Sequence, residues 1–276
     1  MCVGALPFVL RGQQGYTKKL EYTPTHRAAR APRKRGSPVP ITAVLFDLDG
    51  TLLPMNQDEF TGGYFKERAT TAAPRGYEPK ALVDAIWQGT AAMYKNDGSR
   101  TNEEAFWERF AQIYGQEALK DKELFDDFYR NEFRHAQAYC GFAPEAAQAV
   151  ARAKELGFRV ALATNPIFPN EATRLRIGWA GLKVEDFELY TAYEDSKLCK
   201  PNPAYFEYVA GLMGLAPQEC LMVGNDASED GAALKAGMQL FLLTDCLINK
   251  KDVDISAIPH GSWPQLMELL GSLREQ

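Results

Sequence analysis

Ile41-Thr42-Ala43-Val44-Leu45-Phe46-Asp47-Leu48-Asp49-Gly50-Thr51-Leu52-Leu53 carries an apolar run directly into two carboxylates two positions apart, then a glycine and a hydroxyl. Residues 43–46 have the length and the β-branched or aromatic character of a buried strand. Ligands of open α/β sheets are met beyond the carboxyl ends of such strands, which is where Asp47 and Asp49 stand. The two-residue strand period sends both side chains to one side. Carboxylates so close repel and raise a pKa unless a cation or a donor lies between them. A divalent metal resolves that repulsion. Asp-x-Asp-Gly alone fits a polar turn closing a strand equally well, so the choice rests on the rest of the chain.

A chain of 276 residues is long enough for one large or two modest domains with real cores. No apolar run approaches the roughly 18 residues needed to span a membrane. The five cysteines, Cys2, Cys140, Cys199, Cys220 and Cys246, are odd in number, far apart and without a Cys-x-x-Cys pair. That pattern speaks against a disulfide framework or a zinc site and fits a reducing cytoplasm. His26, His135 and His260 are never spaced as ligand pairs.

Charge divides the chain. The first 40 residues hold eight Lys or Arg and one acid, Glu21, a balance of about +7 within a net charge of −5, so the remainder carries about −12. An acidic body is a poor nucleic-acid partner. The leader at residues 1–40 is Pro-rich, basic and without periodicity, which reads as disordered. A nucleic-acid or membrane tail, an organellar transit peptide and an upstream stretch from a misplaced start compete for it, and a functionally silent tail is favoured.

Helical patterns follow one another after the opening segment, at 57–71, 79–94, 103–114 and 120–139, the last with a stripe of Leu124, Phe125, Phe128 and Phe133. From residue 144 the pattern alternates: helix 144–156, strand 159–163, helix 169–179, strand 188–191, helix 204–213, strand 221–223, helix 229–236 and strand 239–243. Alternation of this kind argues for a parallel sheet covered by helices on both faces. The aromatic stripe Phe106, Trp107, Phe110 and Tyr114 is expected to be helix packing rather than a ligand box.

Three further clusters bear on the opening carboxylates. The strand at 160–163 ends in Thr164, followed by Asn165 and Pro166; a threonine there caps the next segment or, beside Asp47, donates to a phosphoryl oxygen. Lys200 stands before Pro201, Asn202 and Pro203, just ahead of a helix, where a fixed ammonium would neutralise phosphoryl and carboxylate charge. The strand ending in Val223-Gly224 then presents Asn225, Asp226 and Asp230. Carboxylate oxygens suit Mg²⁺, which takes one or two protein carboxylates together with water and substrate phosphate.

Asp47-Leu48-Asp49-Gly50-Thr51, Thr164, Lys200-Pro201 and Asp226 with Asp230 stand in the order of motifs I to IV of the haloacid dehalogenase (HAD) superfamily, which this chain resembles over about residues 41–245. The resemblance implies a doubly wound α/β parallel sheet, a Rossmann-like HAD core, with an inserted all-helical C1-type cap. The core would comprise 41–54 and 141–276, the cap 55–140, and Leu53-Pro54-Met55 part of the hinge.

The resemblance also implies Mg²⁺-dependent hydrolysis of a small-molecule phosphate monoester. Asp47 would be the nucleophile and Asp49 the general acid and base. Thr51, Thr164, Asn165 and Lys200 would hold the phosphate, and Asp47, the Asp49 carbonyl, Asp226 and Asp230 the metal, with Asp230 ligating directly, through water or by holding Lys200. Dehalogenases of the superfamily lack the second aspartate, so a carboxylate at 49 favours phosphate chemistry. A phosphomutase on the same core and a non-catalytic phosphate-ligand binder are the alternatives. Lys95 and Arg100, in a polar stretch between two predicted cap helices, are candidates for reading the substrate, with a solvent-facing turn as the plainer account. The motifs leave the leaving alcohol and the oligomeric state open.

Overall fold

The computed structural model describes residues 39–275, so the expectation of a disordered basic leader falls almost wholly outside the described residues. Five parallel strands lie in the order β2-β1-β3-β4-β5: β1 Ala43–Phe46, β2 Arg159–Leu162, β3 Cys220–Gly224, β4 Gln239–Leu243 and β5 His260–Gly261. Parallel strands need both faces covered, and alternate residues of each strand feed two different cores. Val44, Phe46, Val160, Leu162, Leu221 and Val223 join one core with α5 (Pro144–Glu155), α6 (Asn170–Trp179) and α9 (Trp263–Glu275). Ala43, Leu45, Ala161, Cys220 and Met222 join the other with α7 (Pro203–Leu212) and α8 (Ala232–Ala236). The sheet is therefore doubly wound, as the alternating pattern predicts.

Register then builds the site. Phe46 pairs with Leu162 on one side and Val223 on the other, so these three adjacent strands run level with one another. The Asp47 amide donates to the Val223 carbonyl at 2.9 Å and the Ala163 amide to the Phe46 carbonyl at 2.7 Å. The residues that follow, 47, 164 and 225, consequently emerge side by side at one edge of the sheet.

Between β1 and α5 the regular elements are helices, α1 Gln57–Ala72, α2 Pro79–Tyr94, α3 Asn102–Tyr114 and α4 Lys122–Arg130, with 3₁₀ helices following α1, α3 and α4. Local sequence explains the starts. Asn56 caps α1 by accepting from the amides of Asp58 and Glu59, Glu78 precedes Pro79 at the first position of α2, and Thr101 with Glu104 forms a capping box on α3. Phe133 stacks on Trp179 of α6, with centroids 5.3 Å apart, and ties the helical insert to the sheet layer.

Three elements depart from the pattern. The single helix expected over 120–139 breaks at Asn131, whose side-chain amide donates to the Asp127 carbonyl at 2.9 Å and so competes with the next helical turn; the chain continues as a 3₁₀ helix, Glu132–Tyr139. The strand expected over 188–191 is a segment alongside β2 with one bridge, Leu162 to Tyr190, because after three backbone hydrogen bonds the Thr191 hydroxyl turns to the Thr164 carbonyl. The helix expected over 229–236 is shortened to α8, since residues 226–231 form a turn around Asp230. Beyond residue 243, β5 and α9 complete the sheet and its cover. Among the described residues no helix is long and apolar enough to cross a membrane.

Candidate active site

Asp47 leaves β1 into a buried position, 6 % exposed. Its Oδ1 accepts from Lys200 Nζ at 2.8 Å, and Thr51 Oγ1 lies 3.1 Å from its Oδ2. The Thr51 hydroxyl has one proton and a second acceptor, Asn225 Oδ1, also at 3.1 Å, so it braces the loop under Asp47. Lys200, 1 % exposed, reaches this level because β2 and the segment at 188–199 deliver it just before α7. Its ammonium also meets Asp230 Oδ1 at 2.6 Å. Asp230 Oδ2 accepts from the amides of Asn225 and Asp226, both at 3.0 Å. Both oxygens of Asp230 are thus engaged in holding Lys200 and the loop after β3.

The electrostatics follow from burial. Desolvation pushes the Asp47 carboxyl up, to about 7, Lys200 opposes the rise, and the neighbouring Asp230 and Asp49 add to it. For Lys200 burial acts downward, yet Asp230 and Asp47 outweigh it and hold the ammonium well above its ordinary range. The ammonium between two buried carboxylates is therefore charged. Glu229 is pushed up chiefly by its own burial.

Two glycines make this packing feasible. Gly50 has φ +84°, and a Cβ there would come within 2.2 Å of Asn225 Nδ2; Gly224 leaves room for the Asp230 carboxylate, which an added Cβ would meet at 2.1 Å. Gly50→Ala is expected to lower stability by at least about 1–3 kcal/mol, the usual cost of a side chain held in the left-handed region, read as a shift in the urea midpoint. Any turnover at this site should fall with it, since the turn carries Asp49 and Thr51.

The remaining groups approach from the rim. Thr164, 1 % exposed, lines the cleft above Asp47, and its carbonyl is fixed by the hydroxyls of Thr191 and Tyr205 at 2.6 and 2.8 Å. Asn165 donates to Tyr94 Oη and Glu229 Oε2, both at 3.0 Å, and accepts from the Lys200 amide at 3.2 Å. Tyr94, at the end of α2, donates in turn to Glu229 Oε1 at 2.9 Å, so the insert touches the sheet edge at the mouth of the site. Asp226 lines the same cleft, with Oδ1 tied to the amides of Ser228 and Glu229 at 2.7 and 2.8 Å.

Sequence reading missed Arg176. This side chain on α6 is fully buried, forms an ion pair with Asp49 Oδ2, and lies 4.4 Å over the Phe168 ring. An arginine on an amphipathic helix ordinarily points to water, and nothing in its local pattern marks it as turned inward. Tyr94 and Glu229 were missed for a related reason, since their contact joins residues 135 apart in the chain.

Lys95 and Arg100 are not brought to the cleft. Both are exposed, and Arg100 pairs with Glu108 at 3.0 Å. The polar stretch around them instead docks the insert: Asn96 donates to Asn102 Oδ1 at 2.9 Å, Asn102 Nδ2 to the Pro166 carbonyl at 3.1 Å, and the Asn102 amide to the Ser196 carbonyl at 2.8 Å. The buried asparagines, not the neighbouring cations, are the working part of that loop. The aromatic stripe of α3 is helix packing, with Phe106, Trp107 and Phe110 in the insert core and Tyr114 against it, and Phe106 and Trp107 also line the cleft.

A buried carboxylate, ammonium and hydroxyl at one end of a doubly wound sheet beneath a helical insert define a hydrolase of the HAD class. A family model described as haloacid dehalogenase-like hydrolase matches residues 41–237, and the chain belongs to that family, as a phosphatase-like member. It is 29 % identical over 206 residues to a phosphoglycolate phosphatase of Photorhabdus laumondii, covering 74 % of this chain and 80 % of the relative. To the pyrophosphatase PpaX of Halalkalibacterium halodurans it is 25 % identical over 200 residues, 72 % and 81 % of the two chains. A 2-haloacid dehalogenase from Pseudomonas syringae shares the fold with a TM-score of 0.57 at 22 % identity, covering 84 % of this chain and 99 % of that one.

Proposed function

We propose that the protein hydrolyses a small-molecule phosphate monoester through an aspartyl-phosphate on Asp47, with Mg²⁺ as its metal. The single observation that carries this reading is the buried Asp47–Lys200–Asp230 chain, with contacts of 2.8 and 2.6 Å, beside a second carboxylate at Asp49. A halide leaving group needs no proton, whereas an alkoxide does, and Asp49 is the group able to supply one.

Asp47 attacks phosphorus as the bond to the ester oxygen breaks, and Asp49 gives its proton to that oxygen. Asp49 then takes a proton from the water that attacks the phosphorus of the aspartyl-phosphate, which frees orthophosphate and restores the Asp47 carboxylate. In the present arrangement Asp49 is paired with Arg176, and it must leave that pair to reach the ester oxygen. Lys200, held by Asp230, offsets the charge of the incoming dianion, and Thr164 and Asn165 orient its oxygens. Thr51 acts from below by fixing Asp47.

The donor chemistry fits Mg²⁺. Asp47 and Asp226 line one cleft with Asp49, Asp49 Oδ1 is buried without a hydrogen-bond partner, and every candidate donor is oxygen. Among the described residues no group of three His, Cys, Asp or Glu side chains is arranged to hold a metal. Asp47, Asp226 and the Asp49 carbonyl would hold the ion, with Asp230 as their support rather than a ligand. Bound there, Mg²⁺ supplies charge stabilisation for the phosphoryl group.

The same reading divides the chain into a core at 41–54 and 141–276 and a cap at 55–140, moving about residues 53–55. Phosphate release from a panel of metabolite esters tests the function. EDTA is expected to remove at least about 99 % of turnover, the scale on which a lost Lewis acid of several kcal/mol acts, and added Mg²⁺ to restore it. Full activity in EDTA would overturn the metal assignment, and isomer formation without phosphate release would favour a mutase.

A further inference from the structure

The cleft above Asp47 is not lined as a receptor for a small, hydrophilic alcohol would be. Its cavity is about 170 Å³ and opens at its mouth. Away from Asp47 and Asp49, its walls include Phe60 and Tyr64 of α1, Trp87 of α2, Trp107 of α3, Phe125 of α4 and Phe168. Gln57, Phe60 with Thr61, and Tyr64 with Phe65 line it at helical spacing. The next residue on that face of α1, one turn beyond Tyr64, is Arg68.

Arg68 is 1 % exposed, and none of its three guanidinium nitrogens has a hydrogen-bond partner among the described residues. Its guanidinium lies 3.5 Å over the ring of Phe125, itself a cleft wall, with Phe128 and Tyr129 at 4.7 and 5.7 Å. Burial lowers its pKa, and the groups opposing that are tyrosines, Tyr64, Tyr129, Tyr193 and Tyr77, with no carboxylate among them. Aromatic faces offset part of the cost of a desolvated cation, but a guanidinium has five donors suited to a planar anion. Arg68 is not itself a wall of the cleft, but Phe125 and Tyr129, over whose rings it lies, are, and a buried cation without hydrogen bonds one ring behind a cleft is a group whose partner arrives from outside.

We infer that the leaving alcohol has an extended apolar or aromatic body that fills the cleft and a second anionic group at its far end that Arg68 receives past the Phe125 ring. This deepens the phosphatase reading and rests on it for the position of the phosphate.

The test uses 2-naphthol and 6-hydroxy-2-naphthoate, as free alcohols by calorimetry and as phosphate esters by phosphate release, on the full chain. Wild-type protein should bind the carboxylated alcohol about tenfold more tightly than 2-naphthol and favour its ester by a similar factor in kcat/KM, carried by KM, as one charged hydrogen-bonded pair provides. In Arg68→Met the ratio should fall to about one, and Arg68→Lys should retain part of it. No carboxylate preference in the wild type, or a preference that survives Arg68→Met, would overturn the inference. A carboxylate preference in binding with no phosphate release from any ester would leave it standing and count against the phosphatase reading. Turnover of 2-phosphoglycolate with no carboxylate preference in either assay would do the reverse.

Discussion

Asp47→Asn should reduce kcat on the best phosphate ester by at least about a thousandfold while leaving the fold intact. The amide cannot form the acyl phosphate, and a covalent step that is removed is not replaced by the remaining groups, because uncatalysed monoester hydrolysis is among the slowest reactions known. The substitution is nearly isosteric, and the amide oxygen can still accept from Lys200, whose other partner Asp230 is untouched. Burial already disfavours the Asp47 carboxylate, so removing its charge should not lower the thermal midpoint. A far-ultraviolet spectrum like that of wild type, together with loss of phosphate release, is the expected result. Retention of most turnover would exclude Asp47 as nucleophile.

Lys200→Met carries the largest expected effect on stability. The side chain is 1 % exposed and bonds two carboxylates whose side chains are 9 % and 2 % exposed. Removing the ammonium leaves Asp47 and Asp230 facing each other without a counter-charge, and breaking one side of a buried ion network costs about 3–5 kcal/mol. The loss should appear as a lower urea midpoint near neutral pH, and phosphate release should fall with it. In the double variant Lys200→Met with Asp47→Asn one of the stranded charges is gone, so part of the stability should return, a coupling that a packing defect alone would not give. An unchanged midpoint in Lys200→Met would contradict the charged network described above.

Much of this architecture is legible in residues 41–53 and in the three later strand ends. The apolar runs at 43–46, 160–162, 220–224 and 240–243 are short and continuous, as strands buried on both faces must be. Because these strands are parallel and in register, residues directly after them share one edge, and that explains why Asp47, Thr164 and the loop of Asp226 and Asp230 converge. Lys200 is legible by its proline context, although its place between Asp47 and Asp230 is a product of the fold.

Residues whose meaning depends on a distant partner were not legible. Nothing in the local sequence marks Arg176 or Arg68 as buried, yet both are, one against Asp49 and one against aromatic faces. Lys95 and Arg100 stand as candidates for reading the substrate against the plainer account of a solvent-facing turn; both are exposed, and Asn96 and Asn102 beside them make the contacts that fix the loop. The break at Asn131 turned on one side-chain hydrogen bond inside an otherwise continuous apolar stripe. Local periodicity reports which face of a helix is apolar, but not which charge the rest of the fold will enclose.

The most direct measurement is mass spectrometry of the protein quenched in acid during steady-state turnover of a phosphate ester. A single phosphoryl group should be found on the peptide that contains Asp47, should be removed by hydroxylamine as an acyl phosphate is, and should be absent from Asp47→Asn. Phosphate release at full rate with no trapped phosphoryl group, or a phosphoryl group on any other residue, would contradict the account.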